Sequence, residues 1–89
     1  MNGSIIKATA NFSETRIDDE IVVMHLARGE FFSLTGTGLA LWLLIDGTRS
    51  RDTLLAQAAA QYGVLPAKIA ADVDAFLAKI GAAGLLDAN

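Results

Sequence analysis

Apolar and polar positions change their spacing about a third of the way along the chain. Between Phe12 and Leu34 they fall into short stretches broken by turn residues. Phe12 to Ile17 fits a short strand. Asp18-Asp19 then reads as a turn, because Asp tolerates turn geometry and bonds its own backbone. Glu20 to Leu26 is rich in β-branched residues (Ile21, Val22, Val23) and predicts a second strand. Ala27-Arg28-Gly29 is a hairpin loop whose Gly suits a left-handed position, and Glu30 to Leu34 is the third strand. These segments predict a three-stranded antiparallel meander.

Beyond Leu34 the period lengthens to that of helices. Thr35 or Thr37 is placed to cap a first helix from about Gly38 to Ile45 or Asp46, with Gly47 at its left-handed stop. Ser50 caps a second helix, with Asp52 in the first turn where the helix dipole favours an acid. That helix ends near Tyr62-Gly63. Pro66 suits the first turn of a third helix. Ile69, Val73, Phe76, Leu77 and Ile80 then make one apolar stripe along it. It ends near Gly84, after which Leu85 and Leu86 can fold back on the core. The fold class is α+β and winged-helix-like: a three-stranded antiparallel sheet followed by three helices. Residues 12–89 form the domain. Residues 1–11 are ambiguous, with Ile5-Ile6 able to start a strand and Asn2-Gly3-Ser4 reading as a loose end, flexible or exchanged with a second copy.

Composition agrees with a single small domain. Of 89 residues, 53% are apolar and 19% charged, which is not a disordered composition. A chain this short buries only about 60–65% of its unfolded surface, so the core has to be efficient. No Cys is present, so there are no disulfides and no thiolate metal ligands, which favours the cytoplasm over a secreted setting. The longest apolar run, Leu39 to Ile45, has seven residues, against roughly 20 for a membrane span. Met1 to Ala10 lacks the basic start and apolar core of a signal peptide. The net charge is −3 and the pI about 4.8. Lys7, Arg16, Arg28, Arg49, Arg51, Lys68 and Lys79 are scattered, so neither a nucleic acid nor a membrane is expected as a partner.

Candidate chemistry is thin. His25 is the one His and sits mid-strand with no motif around it, better read as a solvent-facing or satisfied strand residue than as part of a triad. Asp18, Asp19 and Glu20 lack the spacing and Gly of a calcium loop and read as a solvated turn. Thr35-Gly36-Thr37-Gly38 follows a strand and opens a helix, but no Lys–Ser/Thr pair completes a phosphate loop. Trp42 reads as the large apolar anchor of the core rather than an exposed hot spot. No catalytic residue, metal site or cofactor is expected.

Binding is better supported than catalysis. In Glu30-Phe31-Phe32-Ser33-Leu34, alternation puts Phe32 and Leu34 on one face and Phe31 and Ser33 on the other. The third strand is a sheet edge unless the N-terminal segment covers it. An open edge offers N–H and C=O groups that an extended peptide satisfies by adding a strand. The third-helix stripe is either core alone or also the wall of a cleft beside that strand.

A series of residues carries a family resemblance: Asp19-Glu20-Ile21-Val22-Val23, Gly29 to Leu34, Gly38 to Trp42, Asp46-Gly47-Thr48, Tyr62-Gly63, Ala71-Asp72-Val73 with Phe76-Leu77, and Gly84-Leu85-Leu86. Together, over residues 12 to 86, they resemble the PqqD-like family of peptide recognition elements. That resemblance implies a non-catalytic adaptor. It binds the leader of a ribosomally made precursor as an added strand beside the third strand, against the third helix. It presents the precursor to a modifying enzyme, such as a radical SAM enzyme, or to a leader peptidase and cyclase in lasso-peptide pathways. It implies peptide-binding positions at Glu30, Phe31, Phe32, Ser33, Leu34, Asp72, Val73, Phe76, Leu77, Lys79 and Ile80. The members that serve pyrroloquinoline quinone synthesis usually carry Leu-Cys-Asp-Gly after the first helix and tend to have a Pro-Glu-Gly turn near the strand. This chain has Leu44-Ile45-Asp46-Gly47 and Phe31-Phe32, which points toward a lasso or other modified peptide instead. Two other readings stand beside this one: a winged-helix DNA-binding protein, and an oligomerisation module, such as a homodimer, paired through the same edge or through a swapped Ile5-Ile6 segment.

Overall fold

The computed structural model describes residues 3–87. Strands β1 (Phe12–Ile17), β2 (Glu20–His25) and β3 (Phe31–Leu34) form one antiparallel sheet in the order β1-β2-β3. The two-residue turn Asp18-Asp19 sets the first register, pairing Ile17 with Glu20 and Phe12 with His25. Asp18 takes φ 51° there, a left-handed conformation that Asp enters more readily than bulkier residues. In the second register Val23 faces Phe32 and Ile21 faces Leu34.

The strands β2 and β3 are each one residue shorter than the sequence pattern predicts. The chain turns at His25, whose N–H donates to the Glu30 carbonyl at 2.9 Å and whose carbonyl accepts from Gly29 N–H at 2.8 Å. Its imidazole Nδ1 accepts the Arg28 N–H at 3.2 Å, so the buried ring is satisfied within the hairpin.

The helices follow as α1 (Gly36–Leu44), α2 (Arg51–Tyr62) and α3 (Pro66–Ala82). Helix α1 starts two residues before the expected Gly38, because Gly36 adopts φ 55° and swings the chain from the strand directly into the helix. Thr35 occupies the N-cap position in an extended conformation, but its side chain makes no capping bond. At the far end Arg49 Nη1 donates to the Leu44 carbonyl at 2.7 Å. Ser50 does cap α2, its hydroxyl accepting from Thr53 N–H at 3.2 Å. The hand-off from α2 to α3 runs through Gly63 at φ 65°, then Pro66 in the first turn.

The core lies between the inner sheet face and the helices. Trp42 is fully buried and meets Phe12 edge-on at 5.3 Å. Its indole N–H donates to the Glu14 carboxylate at 3.2 Å, and Lys7 Nζ lies 4.2 Å above the ring. Burial pushes the Lys7 amine below its ordinary value, against the pull of Glu14 and Asp46.

The N-terminal segment pairs away from the sheet. Ile5 N–H donates to Arg49 O, Ala8 N–H to Leu85 O, and Asp87 N–H to Ile6 O, at 2.8–2.9 Å. Residues 4–8 therefore lie against Arg49-Ser50 and the returning Leu85–Asp87 stretch. Met1, Asn2, Ala88 and Asn89 lie outside the described residues. Among the described residues, no helix is long and apolar enough to cross a membrane.

Candidate functional site: an open sheet edge beside the third helix

The two sheet edges are built differently. On β1, Glu14 pairs with Val23 and Arg16 with Ile21, so both charges sit on the core-side face of the edge strand. Inward-facing charges on an edge strand are a common guard against strand addition. Strand β3 has no such guard: its four residues are Phe31, Phe32, Ser33 and Leu34, with neither Lys nor Pro.

Hydrogen-bond alternation tells which β3 groups are on offer. The His25–Glu30 bond fixes the phase of the ladder. In an antiparallel pair the bonded positions alternate, so Phe32 and Leu34 bond to β2 through Val23 and Ile21. The N–H and C=O groups of Phe31 and Ser33 consequently point outward from the sheet. An added strand would bond to those two residues, and its side chains would alternate between the two faces.

Helix α3 runs opposite in direction to β3, from the α1 side toward the β2–β3 hairpin. Its C-terminal end is tied to the β2–β3 hairpin: Arg28 Nη1 donates to the Ala82 carbonyl at 3.2 Å. Gly84 leaves the helix at φ 77° with its α-carbon against the His25 ring, where an added Cβ would stand 2.9 Å from Nε2. Further back, the Phe76 ring lies over Gly38, just past the end of β3. A Cβ built on Gly38 would meet its Cε1 at 3.5 Å. From Phe76 to Ala82 the helix rises about 9 Å, and from Phe31 to Leu34 the strand advances about 10 Å. The two rows are similar in length.

Helical geometry assigns the stripe. At 100° per residue, Val73 and Ile80 lie at its centre and are fully buried, at 0% and 1% exposure. Phe76 and Leu77, both half-buried, fall on opposite flanks. Asp74 lies on the Leu77 flank and binds Arg51 of α2 through two bonds of 2.8 Å. That flank therefore belongs to the α2 side. Phe76, with Asp72 and Lys79 beside it, forms the flank toward Gly38 and β3. Asp72 and Lys79 are exposed, and neither takes part in an ion pair among the described residues.

Phe31, Phe32 and Ser33 lie on the open edge strand, while Phe76, Asp72 and Lys79 share one flank of α3. Leu34, Val73 and Ile80 are core residues. Leu77 faces α2. Glu30 precedes the strand; its carbonyl is used by His25 and its carboxylate lies 3.8 Å from Arg28. Two contributors escape a reading of pattern alone. Gly38 is the α1 residue that the Phe76 ring packs over. Glu20 matters because its carboxylate accepts from the Ser33 hydroxyl across the outer face. A separate hollow of about 240 Å³, lined by Ile6, Lys7, Thr9, Ile45, Asp46 and Gly47, contains no residue of β3 or α3.

The sequence model of the family described as coenzyme PQQ synthesis protein D (PqqD) matches residues 20–86, from β2 through the returning Leu85-Leu86. This chain belongs to the PqqD family. The resemblance carried by its scattered residues is borne out, and the matched stretch contains both β3 and α3. Among solved structures, the PqqD-family fold described here is similar to that of TbiB1 in complex with the TbiA(beta) leader peptide. The TM-score is 0.79 at 26% sequence identity, covering 89% of this chain and 92% of that one. The expected α+β arrangement of three strands followed by three helices is borne out with it. No curated protein matches the chain.

Proposed function

We propose that this PqqD-family protein is a leader-peptide-binding adaptor. It takes an extended segment of a ribosomally made precursor as a fourth strand on β3 and presents the precursor to a modifying enzyme or leader peptidase. The observation that carries the reading is the unguarded β3 edge, with Phe76 of α3 packed over Gly38 just beyond the end of that strand. The similarity to TbiB1, whose structure holds a leader peptide, supports it.

Magnitudes say why both walls are needed. Two bonded pairs at Phe31 and Ser33 offer four backbone hydrogen bonds, each worth about 0.5–1.5 kcal/mol net. Association costs at least about 4 kcal/mol. Backbone pairing alone therefore comes close to cancelling. A side chain buried between Phe32 and Phe76 adds about 1.5–3 kcal/mol, so one or two cleft residues of the leader set affinity and specificity. Asp72 and Lys79, lacking ion-pair partners of their own, are placed to read charges on the leader.

The adaptor performs no chemistry of its own and needs no cofactor. Its one His is buried in the hairpin rather than set in the cleft. The setting is cytoplasmic, and the pathway is a lasso or other modified-peptide route rather than the quinone pathway, given Ile45 in Leu44-Ile45-Asp46-Gly47. A DNA-binding reading is disfavoured by the occupation of Arg51, whose guanidinium is held by Asp52 and Asp74. A homodimer paired through β3 would compete for the same edge as the leader.

Titration of labelled protein with candidate leader peptides, followed by amide chemical shifts, tests the proposal. Shifts concentrated on residues 30–34 and 72–80 are expected. Shifts elsewhere, or a leader-independent change with protein concentration, would assign the edge to another partner.

A further inference from the structure

The outer face of the sheet, away from the helices, is uneven in a way that cleft binding does not use. Phe31 is 68% exposed there. Its cross-strand partner is Met24, and Met24 in turn faces Ser13. One rung further along, Ser33 faces Val22 and then Thr15, and the Ser33 hydroxyl bonds the Glu20 carboxylate. The hairpin end of the open edge is therefore apolar on its outer face. At the α1 end the edge residue is the polar Ser33, bonded to the Glu20 carboxylate, with Val22 behind it on β2.

We infer that Phe31 is a second specificity determinant, which reads a large apolar side chain on the outer face of the added strand. The inference rests on strand addition at β3 and extends it. An antiparallel strand meets Ser33 first, then Phe32, then Phe31. Alternation sends the residue opposite Phe32 into the cleft and its two neighbours to the outer face. The bound segment accordingly has three consecutive positions of fixed character. The first, over Ser33 and Glu20, is polar or basic. The second, between Phe32 and Phe76, is apolar. The third, beside Phe31 and Met24, is apolar and large. Charge and polarity along the outer face thus also set the direction in which the peptide lies. A segment chosen by the cleft alone would alternate apolar and polar residues, whereas this edge selects two adjacent apolar residues on opposite faces.

A displayed library of twelve-residue peptides, randomised at three consecutive central positions, would be selected against the wild-type protein, Phe31→Ser and Phe76→Ala. Wild type is expected to enrich the polar–apolar–apolar series. Phe31→Ser should lose the preference at the third position alone, and Phe76→Ala at the second alone. For a selected peptide, Phe31→Ser and replacement of the third residue by Ser should each weaken binding roughly two- to fivefold, the worth of a cross-strand apolar pair. Applied together they should cost no more than either one. Retention of the third-position preference by Phe31→Ser overturns the inference while leaving the cleft reading intact. So does a Phe31→Ser variant whose self-association or enzyme docking changes but whose peptide affinities do not. Failure of every protein to enrich any series removes strand addition itself.

Discussion

Phe76 and Leu77 are adjacent on one helix, similarly half-buried, and on opposite flanks of its apolar stripe. Truncating each to Ala separates the cleft from the core. Full burial makes a Phe or Leu truncation cost about 2–5 kcal/mol. At half-burial about 2 kcal/mol is expected for either. A domain of this size is stable by roughly 4–13 kcal/mol, so both variants should remain predominantly folded, with Tm lowered by about 8–16 °C. Their binding should diverge. On the proposed site, Phe76→Ala removes a leader contact and should cost about 1–2 kcal/mol, or roughly 5- to 30-fold in Kd for a leader peptide. Leu77→Ala, on the flank shared with Asp74 and Arg51, should change Kd less than twofold once the folded fraction is accounted for. Calorimetric titration beside urea denaturation gives both quantities. Equal losses of affinity would refute the assignment of flanks, and a larger loss at Leu77 would place the cleft on the α2 side.

Ser33→Pro removes the outward N–H without touching the ladder to β2. It should leave the fold near wild type and weaken leader binding about tenfold, read by titration; an unfolded variant would mean that the Ser33 N–H faces inward. Gly84→Ala forces a left-handed Ala against the His25 ring, combining about 1–2 kcal/mol of backbone cost with overpacking of about 1–3 kcal/mol. A marked fall in the urea midpoint is expected, and an unchanged midpoint would show that the hairpin yields easily. Gly38→Ala places a methyl at ordinary contact with Phe76 in a helix, so stability should rise by about 0.5–1 kcal/mol, measured by thermal unfolding. Hydrogen bonds from Arg51 hold the Asp74 carboxyl below its ordinary value. A depressed folded-state value stabilises above the unfolded one, and that contribution disappears as pH falls through the folded value. Acid unfolding followed by circular dichroism should therefore begin at higher pH in Arg51→Met, and identical acid limbs would show the pair to be inert.

The elements were legible because each is announced locally. Asp18-Asp19 and Gly29 mark the hairpins, and Ser50, Gly63 and Pro66 mark the helix ends. The start of α1 was misjudged by two residues because Gly36 reads equally well as loop and as the left-handed pivot it turns out to be. The open edge was foreseeable from strand order, but its exposure depended on where residues 4–8 go, and their pairing with Arg49 and Leu85 involves contacts too remote in sequence for any pattern to reveal.

The division of the α3 stripe was hidden for a related reason. Periodicity defines an apolar arc about 100° wide; it does not say which neighbour covers which side of the arc. Val73 and Ile80 are core because they lie at its centre, but Phe76 and Leu77 carry the same local signal. Only the pairing of Asp74 with Arg51 on one flank, and of Phe76 with Gly38 on the other, breaks the symmetry. Gly38 is the informative residue here. Taken as half of a phosphate-loop fragment it suggests chemistry that the chain does not support; in the fold it is the residue that the Phe76 ring packs over. The same logic applies to Phe31. Alternation forces it out of the core, so its place on an exposed face requires either a partner or indifference, and the Ser33–Glu20 hydrogen bond beside it sets a polar spot next to its apolar one.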